Sequence, residues 1–395
     1  MVLTTKQQEG LKIAVERYRL GEPYTCIAGY AGSGKSTLIK FIIEALHINP
    51  EEDVCYVAYT GKAANVLRQK GCPNAITAHK LLYWAAPSSN GGFIFKPKTK
   101  LDGYFKVIVV DEISMLPKEM WELLLQHHVY ILATGDPEQI PPINPDTDNH
   151  VLDKPHIFLD EIMRQAMDSE IIRLSMWVRE GRPIELFPCS SQEVKIVDKH
   201  EVVSGMYSWA DQILCATNAK RIEINNFVRE QKGYGIEPQI GDKIISLTNH
   251  WKYLSRSGDW ALTNGCIGEI TNFNIQQFKM PPYITKQPVS YMFTDILLED
   301  GDVFDATPID YEMLKTGMCP LTPRQIYQIN KNERCPDAPY DFTYAYGITT
   351  HKGQGSEWNK VLLFEEGFPF DAETHRRHLY TGITRASEKL VVVKH

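Results

Sequence analysis

Long apolar runs are missing from this sequence. No stretch of its 395 residues approaches the ~18 apolar residues that cross a bilayer. Its opening, Met1-Val2-Leu3-Thr4-Thr5-Lys6-Gln7, lacks the charged-then-apolar build of a secretory signal. No membrane role is expected, and a cytoplasmic location is. The eight cysteines (Cys26, Cys55, Cys72, Cys189, Cys215, Cys266, Cys319, Cys335) form no C-x-x-C pair and have no histidine at zinc spacing, which argues against a disulfide scaffold or zinc module and for reduced thiols. Excess positive charge is missing too: the net charge is −7, which weighs against coating long duplexes but leaves room for a local basic groove. No repeat of fixed period suggests a solenoid. What remains is a globular mix, 43% hydrophobic and 23% charged, long enough for two or three domains.

The most specific signal is Gly29-Tyr30-Ala31-Gly32-Ser33-Gly34-Lys35-Ser36, which fills every fixed position of G-x-x-x-x-G-K-[ST] directly after the apolar run Tyr24 to Ala28. The spacing predicts a strand, a phosphate-binding loop and then a helix from Thr37, whose N-terminus faces the anion. Gly29, Gly32, Ser33 and Gly34 would wrap the phosphates with backbone N–H groups. Lys35 would add a point charge, and Ser36 a hydroxyl ligand for Mg²⁺. Val107 to Val110 reads as a buried parallel strand ending in Asp111-Glu112. Splitting the work between these carboxylates suits hydrolysis: Asp111 holds the metal and Glu112 polarises the attacking water. A third apolar run, Val129 to Ala133, leads to Gly135-Asp136-Pro137-Glu138-Gln139, where Gln139 reads as a sensor of the γ-phosphate.

With Tyr59-Thr60-Gly61-Lys62-Ala63-Ala64, Thr77-Ala78-His79-Lys80-Leu81-Leu82, Tyr346 to Glu357 and Tyr380-Thr381-Gly382-Ile383-Thr384-Arg385-Ala386, these words resemble, in order, the superfamily 1B helicases of the RecD and phage Dda group. The resemblance runs from residue 7 to residue 386. It implies an α/β fold of two RecA-like P-loop motor domains, with a β-hairpin inserted in the first and an SH3-like β-barrel in the second.

Composition fits that plan. Alternating strands and helices mark a first motor domain over 1–150. Its interruption at about 84–104 carries the turn signal Asn90-Gly91-Gly92 and then alternating residues, a β-hairpin. Family resemblance makes this hairpin a duplex-splitting pin; the alternative is a solvent-facing excursion with Phe93 and Phe95 packed back on the domain. The second motor domain is expected over 151–235 and 337–395. Between them, residues 236–336 alternate like antiparallel strands with tight turns, the inserted β domain.

Resemblance also implies residue roles. Arg164 and Arg385 would reach the γ-phosphate across a cleft, because a guanidinium holds two phosphate oxygens while staying charged. Gln7 would contact adenine, although Gln8 beside it leaves the register open. Met163 stands where many members stack a tyrosine on the base. Glu357 would contact the ribose, or is a solvated loop acid. Thr37 completes the phosphate loop's set. For the DNA track, Thr60, Lys62, His79, Asn218, Thr350 and His351 match positions that contact the strand, and Trp84, Phe93, Phe95 and Trp358 are candidates for base stacking. The expected function is an ATP- and Mg²⁺-dependent DNA helicase translocating on single-stranded DNA, 5′ to 3′ as in that group. Its partners would be single-stranded and forked duplex DNA, with single-strand-binding or replication and recombination proteins, and the chain would act as a monomer. Two other readings stay open: a DNA-stimulated ATPase that remodels protein–DNA complexes, and a motor subunit of a nuclease complex.

Overall fold

A computed structural model describes residues 3–87, 93–141, 145–258, 260–332, 334–367 and 371–395, with the backbone alone at 65, 69, 85–87, 93–95, 145, 164–165 and 251–252. The short apolar runs become strands, the interior four buried on both faces, as a parallel sheet covered by helices requires. Their order across the first sheet is Ile76–Thr77, Val54–Ala58, Val107–Val110, Tyr130–Gly135, Tyr24–Gly29 and Ile157–Leu159, all paired parallel. Register decides where chemistry can sit. Val57 lies opposite Val110, Val110 opposite Ala133, and Ala28 opposite Gly135. The C-terminal strand ends therefore line up, and the segments beginning at Gly29, Asp111 and Asp136 emerge from one edge, the usual ligand edge of such sheets.

Helix Lys35–Ala45 buries Leu38, Ile39, Ile42 and Ile43 against Ile27, Val107, Val109 and Leu132. Spacing of i, i+1, i+4 and i+5 puts these four side chains on one stripe. Each such burial contributes roughly 1.5–3 kcal/mol, which anchors the helix behind the phosphate loop. A second sheet runs Gly347–Thr349, Gln212–Cys215, Trp358–Phe364, Ala386–Lys394, Val194–Asp198, with parallel pairing from Gln212–Cys215 onward.

Contacts divide the chain into two compact units. One comprises Met1–Leu82, Pro97–Arg221 and Ile348–His395 and carries both parallel sheets; the other comprises Tyr83–Lys96 and Ile222–Gly347. The second unit holds an antiparallel sheet ordered Val303–Asp310, Val289–Leu297, Ile267–Phe278, Lys243–Ser246, Phe342–Tyr344. Ile244, Ile270, Met292, Ile296, Phe304 and Ile309 form its core. A buried ion pair braces the same unit: Arg229 Nε lies 3.0 Å from Asp242 Oδ1, and the guanidinium sits 4.0 Å over the ring of Tyr344. Also in this unit, Tyr83–Pro87 pairs with Phe93–Pro97 as a two-stranded sheet. The turn Asn90-Gly91-Gly92 and the side chains of Phe93 and Phe95 lie outside the described residues. Among the described residues, no helix is long and apolar enough to cross a membrane.

Candidate nucleotide site

Strand Tyr24–Gly29 feeds the phosphate loop, and Gly34 caps the helix that follows with φ 81° and ψ 31°. Only glycine suits this position. The backbone is left-handed, and a Cβ there would clash with Gln7 Nε2 and Met163 Sδ. Gly32 is likewise left-handed at φ 76°. Lys35 Nζ donates to the carbonyls of Gly29 at 2.6 Å and Tyr30 at 3.1 Å, so its charge is held inside the loop. The Ser33 hydroxyl is buried without a hydrogen-bond partner, whereas Ser36 is exposed on the first helical turn beside half-buried Thr37.

Across the sheet edge, Asp111 Oδ1 accepts from Thr134 Oγ1 at 2.9 Å. Burial foremost, and then the neighbouring Glu112 charge, raise the Asp111 pKa, while the Thr134 bond and Lys35 oppose the shift. Glu112 adopts φ 50° and ψ 54°, a conformation that costs a non-glycine residue on the order of 1–3 kcal/mol and clusters at functional sites. The twist aims its carboxylate. Oε1 accepts from Gln139 Nε2 at 3.2 Å and lies 3.8 Å from Arg385 Nη1, while Oε2 is buried with no partner. Arg385 is 6% exposed, with Nε and Nη1 donating to the Thr381 and Ser356 carbonyls. These groups face a cavity of about 390 Å³, within the range of small-molecule sites, lined by Gly32, Lys35, Asp111, Glu112, Gln139 and Arg385 among others. Glu357 lines it as well and pairs with Lys70 Nζ at 2.6 Å.

Residues 3–205 match the family model described as an AAA domain, and residues 344–393 match a UvrD-like helicase C-terminal domain. Over 147 residues the chain is 30% identical to the ATP-dependent DNA helicase Dda of Enterobacteria phage T4, covering 36% of this chain and 34% of that protein. It is 24% identical over 394 residues to the ATP-dependent RecD2 DNA helicase of Deinococcus radiodurans, covering 93% of this chain and 46% of the relative. The chain belongs to the AAA domain family, and its similarity to Dda and RecD2 agrees with the resemblance of its motifs to that helicase group. It spans between about a third and a half of the length of these two relatives. Its fold also matches that of the Pif1 helicase from Bacteroides in complex with ADP-AlF3 and single-stranded DNA. That match has a TM-score of 0.52 and 16% identity, and covers 99% of this chain and 92% of the other. Two parallel RecA-like sheets and an antiparallel sheet thus make up the α/β framework of this chain.

The other expected site residues fall in varied places. Gln7 is 1% exposed and does not line the cavity; its Oε1 accepts from Thr4 N at 3.0 Å and its Nε2 donates to Ser33 O at 3.2 Å, tying the first helix to the phosphate loop. Arg164 opens helix Arg164–Met167, and its side chain lies outside the described residues. Thr60 Oγ1 accepts from Ala63 N at 3.2 Å as a helix cap. Lys62 Nζ sits 4.2 Å over the Trp358 ring. His79 packs 5.8 Å from Tyr59, and burial pushes its pKa down to about 4, so it is neutral at pH 7. Asn218 Oδ1 accepts from Arg221 Nε at 3.2 Å, and His351 lies edge-on to His378 at 4.9 Å.

Two residues expected on the track are buried. Thr350 is 1% exposed and its hydroxyl donates to Cys215 O at 3.1 Å beside the second sheet. Trp358 is 5% exposed at the start of an interior strand, whereas Trp84 is 55% exposed. Two residues that sequence patterns did not single out also touch the site. Thr134 directly follows the third apolar run, where a hydroxyl before Gly135 was a readable sign, but Lys70 carried no signal at all.

Proposed function

We propose that this chain is an ATP-hydrolysing DNA helicase that moves 5′ to 3′ along single-stranded DNA and separates the duplex ahead of it. The observation that carries the reading is a pair of buried oxygens without hydrogen-bond partners, Glu112 Oε2 and Gln139 Oε1, on residues that line one cavity with Lys35 and Arg385. Leaving such an atom unpaired costs about 1–3 kcal/mol, and an attacking water answers both. The phosphate loop, Gly29, Gly32, Ser33 and Gly34 with Lys35, is proposed to hold the phosphates, while the water donates to Glu112 and Gln139. Glu112 then takes the water's proton as its oxygen bonds to the γ-phosphorus and ADP leaves, with Lys35 and Arg385 holding the charge on the phosphate oxygens. Arg164 is proposed as a second such arginine, Glu357 as the ribose contact and Gln7 as an adenine contact, with Met163 where many relatives stack a tyrosine.

Asp111 and Ser36 fit a magnesium ion. A carboxylate that burial pushes toward its neutral form is stabilised as an anion by a cation, and the Ser36 hydroxyl is exposed at the loop's helix. When bound, Mg²⁺ would neutralise phosphate charge.

The motor domains are proposed to be 1–150 and 151–235 with 337–395, and 236–336 an SH3-like insertion. The paired strands Tyr83–Pro87 and Phe93–Pro97 support a strand-splitting pin. Thr60, Lys62, His79, Asn218 and His351 are proposed to flank single-stranded DNA, the track of a monomeric motor on forked duplexes, and replication or recombination proteins are its proposed partners. The test is ATP turnover with and without single-stranded DNA for the parent, Lys35→Ala and Glu112→Gln. The reading expects DNA stimulation in the parent, loss of binding and turnover in Lys35→Ala, and retained binding without turnover in Glu112→Gln. An inert parent, or normal turnover by Glu112→Gln, would overturn it.

A further inference from the structure

Helix Ala372–Ile383 grips the loop that carries Gln139 with side chains from one face. Arg376 Nη2 lies 2.6 Å from Glu138 Oε2, Arg377 Nη1 donates to Pro137 O at 3.0 Å, and Thr381 Oγ1 accepts from Ile140 N at 3.0 Å. Tyr380 belongs to the same face and reaches further. Its hydroxyl accepts from Ala31 N in the phosphate loop at 3.0 Å and donates to Asp136 Oδ2 at 2.6 Å. Tyr380 is 0% exposed and Asp136 3%, so bulk water does not compete for these bonds.

One oxygen therefore joins the phosphate loop, the Gln139 loop and the segment that ends in Arg385. We propose that Tyr380 is a positioning residue for ATP hydrolysis, whose hydroxyl sets the phosphate loop in register with Gln139 and Arg385. The role rests on the functional reading above and adds to it a group that touches no phosphate. Burial, and next the Asp136 charge, raise the Tyr380 pKa well above 10, which keeps the phenol a proton donor. Burial also raises the Asp136 pKa, and the Tyr380 bond is one of the contacts that oppose this. A phenylalanine fills the same space and makes neither bond. Misplacement by about 1 Å can cost on the order of 10²-fold in rate.

The experiment is DNA-stimulated ATPase together with affinity for a fluorescent ATP analogue, on the parent, Tyr380→Phe, Asp136→Asn and the double variant. Tyr380→Phe is expected to lower kcat roughly 10- to 100-fold with analogue affinity within about threefold. Asp136→Asn keeps an acceptor for the hydroxyl and should lose less. The double variant should match Tyr380→Phe alone, since both changes act through one bond. Parent-like kcat in Tyr380→Phe, kcat and affinity falling in parallel with a lowered Tm, or multiplicative penalties in the double variant would each overturn the proposal while leaving the helicase reading intact. An inert parent would overturn both.

Discussion

Arg385 Nη1 lies 3.8 Å from Glu112 Oε1, so the arginine proposed for the γ-phosphate faces the carboxylate proposed as base. The two groups sit about 270 residues apart in sequence, and each has a second tie: Glu112 to Gln139 Nε2, Arg385 to the Ser356 carbonyl.

Arg385→Ala should bind ATP nearly as well as the parent and hydrolyse it about 10³-fold or more slowly, the scale of an arginine's contribution to phosphoryl transfer. Single-turnover hydrolysis beside analogue binding checks this. A rate within tenfold of the parent would remove Arg385 from its role.

The phosphate loop, Asp111 and Arg385 were legible in the sequence because each lies in a short word whose local geometry is fixed by its own residues, as at left-handed Gly34. The track was less legible. A word that names a position does not say which way a side chain turns, and Thr350 turns inward onto Cys215 O. Contacts between distant segments were the least legible. Lys70 with Glu357, and Tyr380 with Ala31 and Asp136, depend on how two sheets are brought together, which no spacing within one word encodes. In the antiparallel unit, alternation placed strands correctly over Lys243–Ser246, Ile267–Phe278 and Val289–Leu297, yet the Arg229–Asp242 pair gave no periodic sign.

That pair supplies a stability prediction. Asp242 is 0% exposed and Arg229 5%, so Asp242→Ala strands a buried guanidinium and should cost about 3–5 kcal/mol. Urea unfolding measures it. A cost below about 1 kcal/mol would mean that the Ile236 and Glu237 carbonyls, which also accept from Arg229, satisfy it alone.

Acid should weaken the fold through its histidines. Burial pushes the pKa of His79, His250 and His378 down to about 4, with neighbouring His351 and His375 adding to the shift at His378. The unfolded chain binds protons at these sites below about pH 6.5 while the native chain does not, so stability is full above 6.5 and falls as pH drops toward 4. At pH 5 each site costs on the order of 1–2 kcal/mol. The urea midpoint should therefore fall between pH 7 and pH 5, and His79→Gln should flatten the profile. A midpoint independent of pH over that window would contradict this.

Shortening 88–96 to a tight turn, or changing Phe93 and Phe95 to Ala, should leave DNA-stimulated ATPase mostly intact and depress strand separation. Parallel loss of both activities with a lower Tm would instead make the hairpin a structural brace.

The central claim is that ATP hydrolysis in this cavity drives a helicase along one strand, and unwinding of two forked substrates tests it most directly. One fork carries a single 5′ tail and the other a single 3′ tail, each with a fluorescent reporter of strand separation. Rapid ATP-dependent separation of the 5′-tailed fork, absent in Glu112→Gln and slow on the 3′-tailed one, is the predicted result. No ATP-dependent separation of either fork by a protein that hydrolyses ATP on single-stranded DNA would contradict the claim.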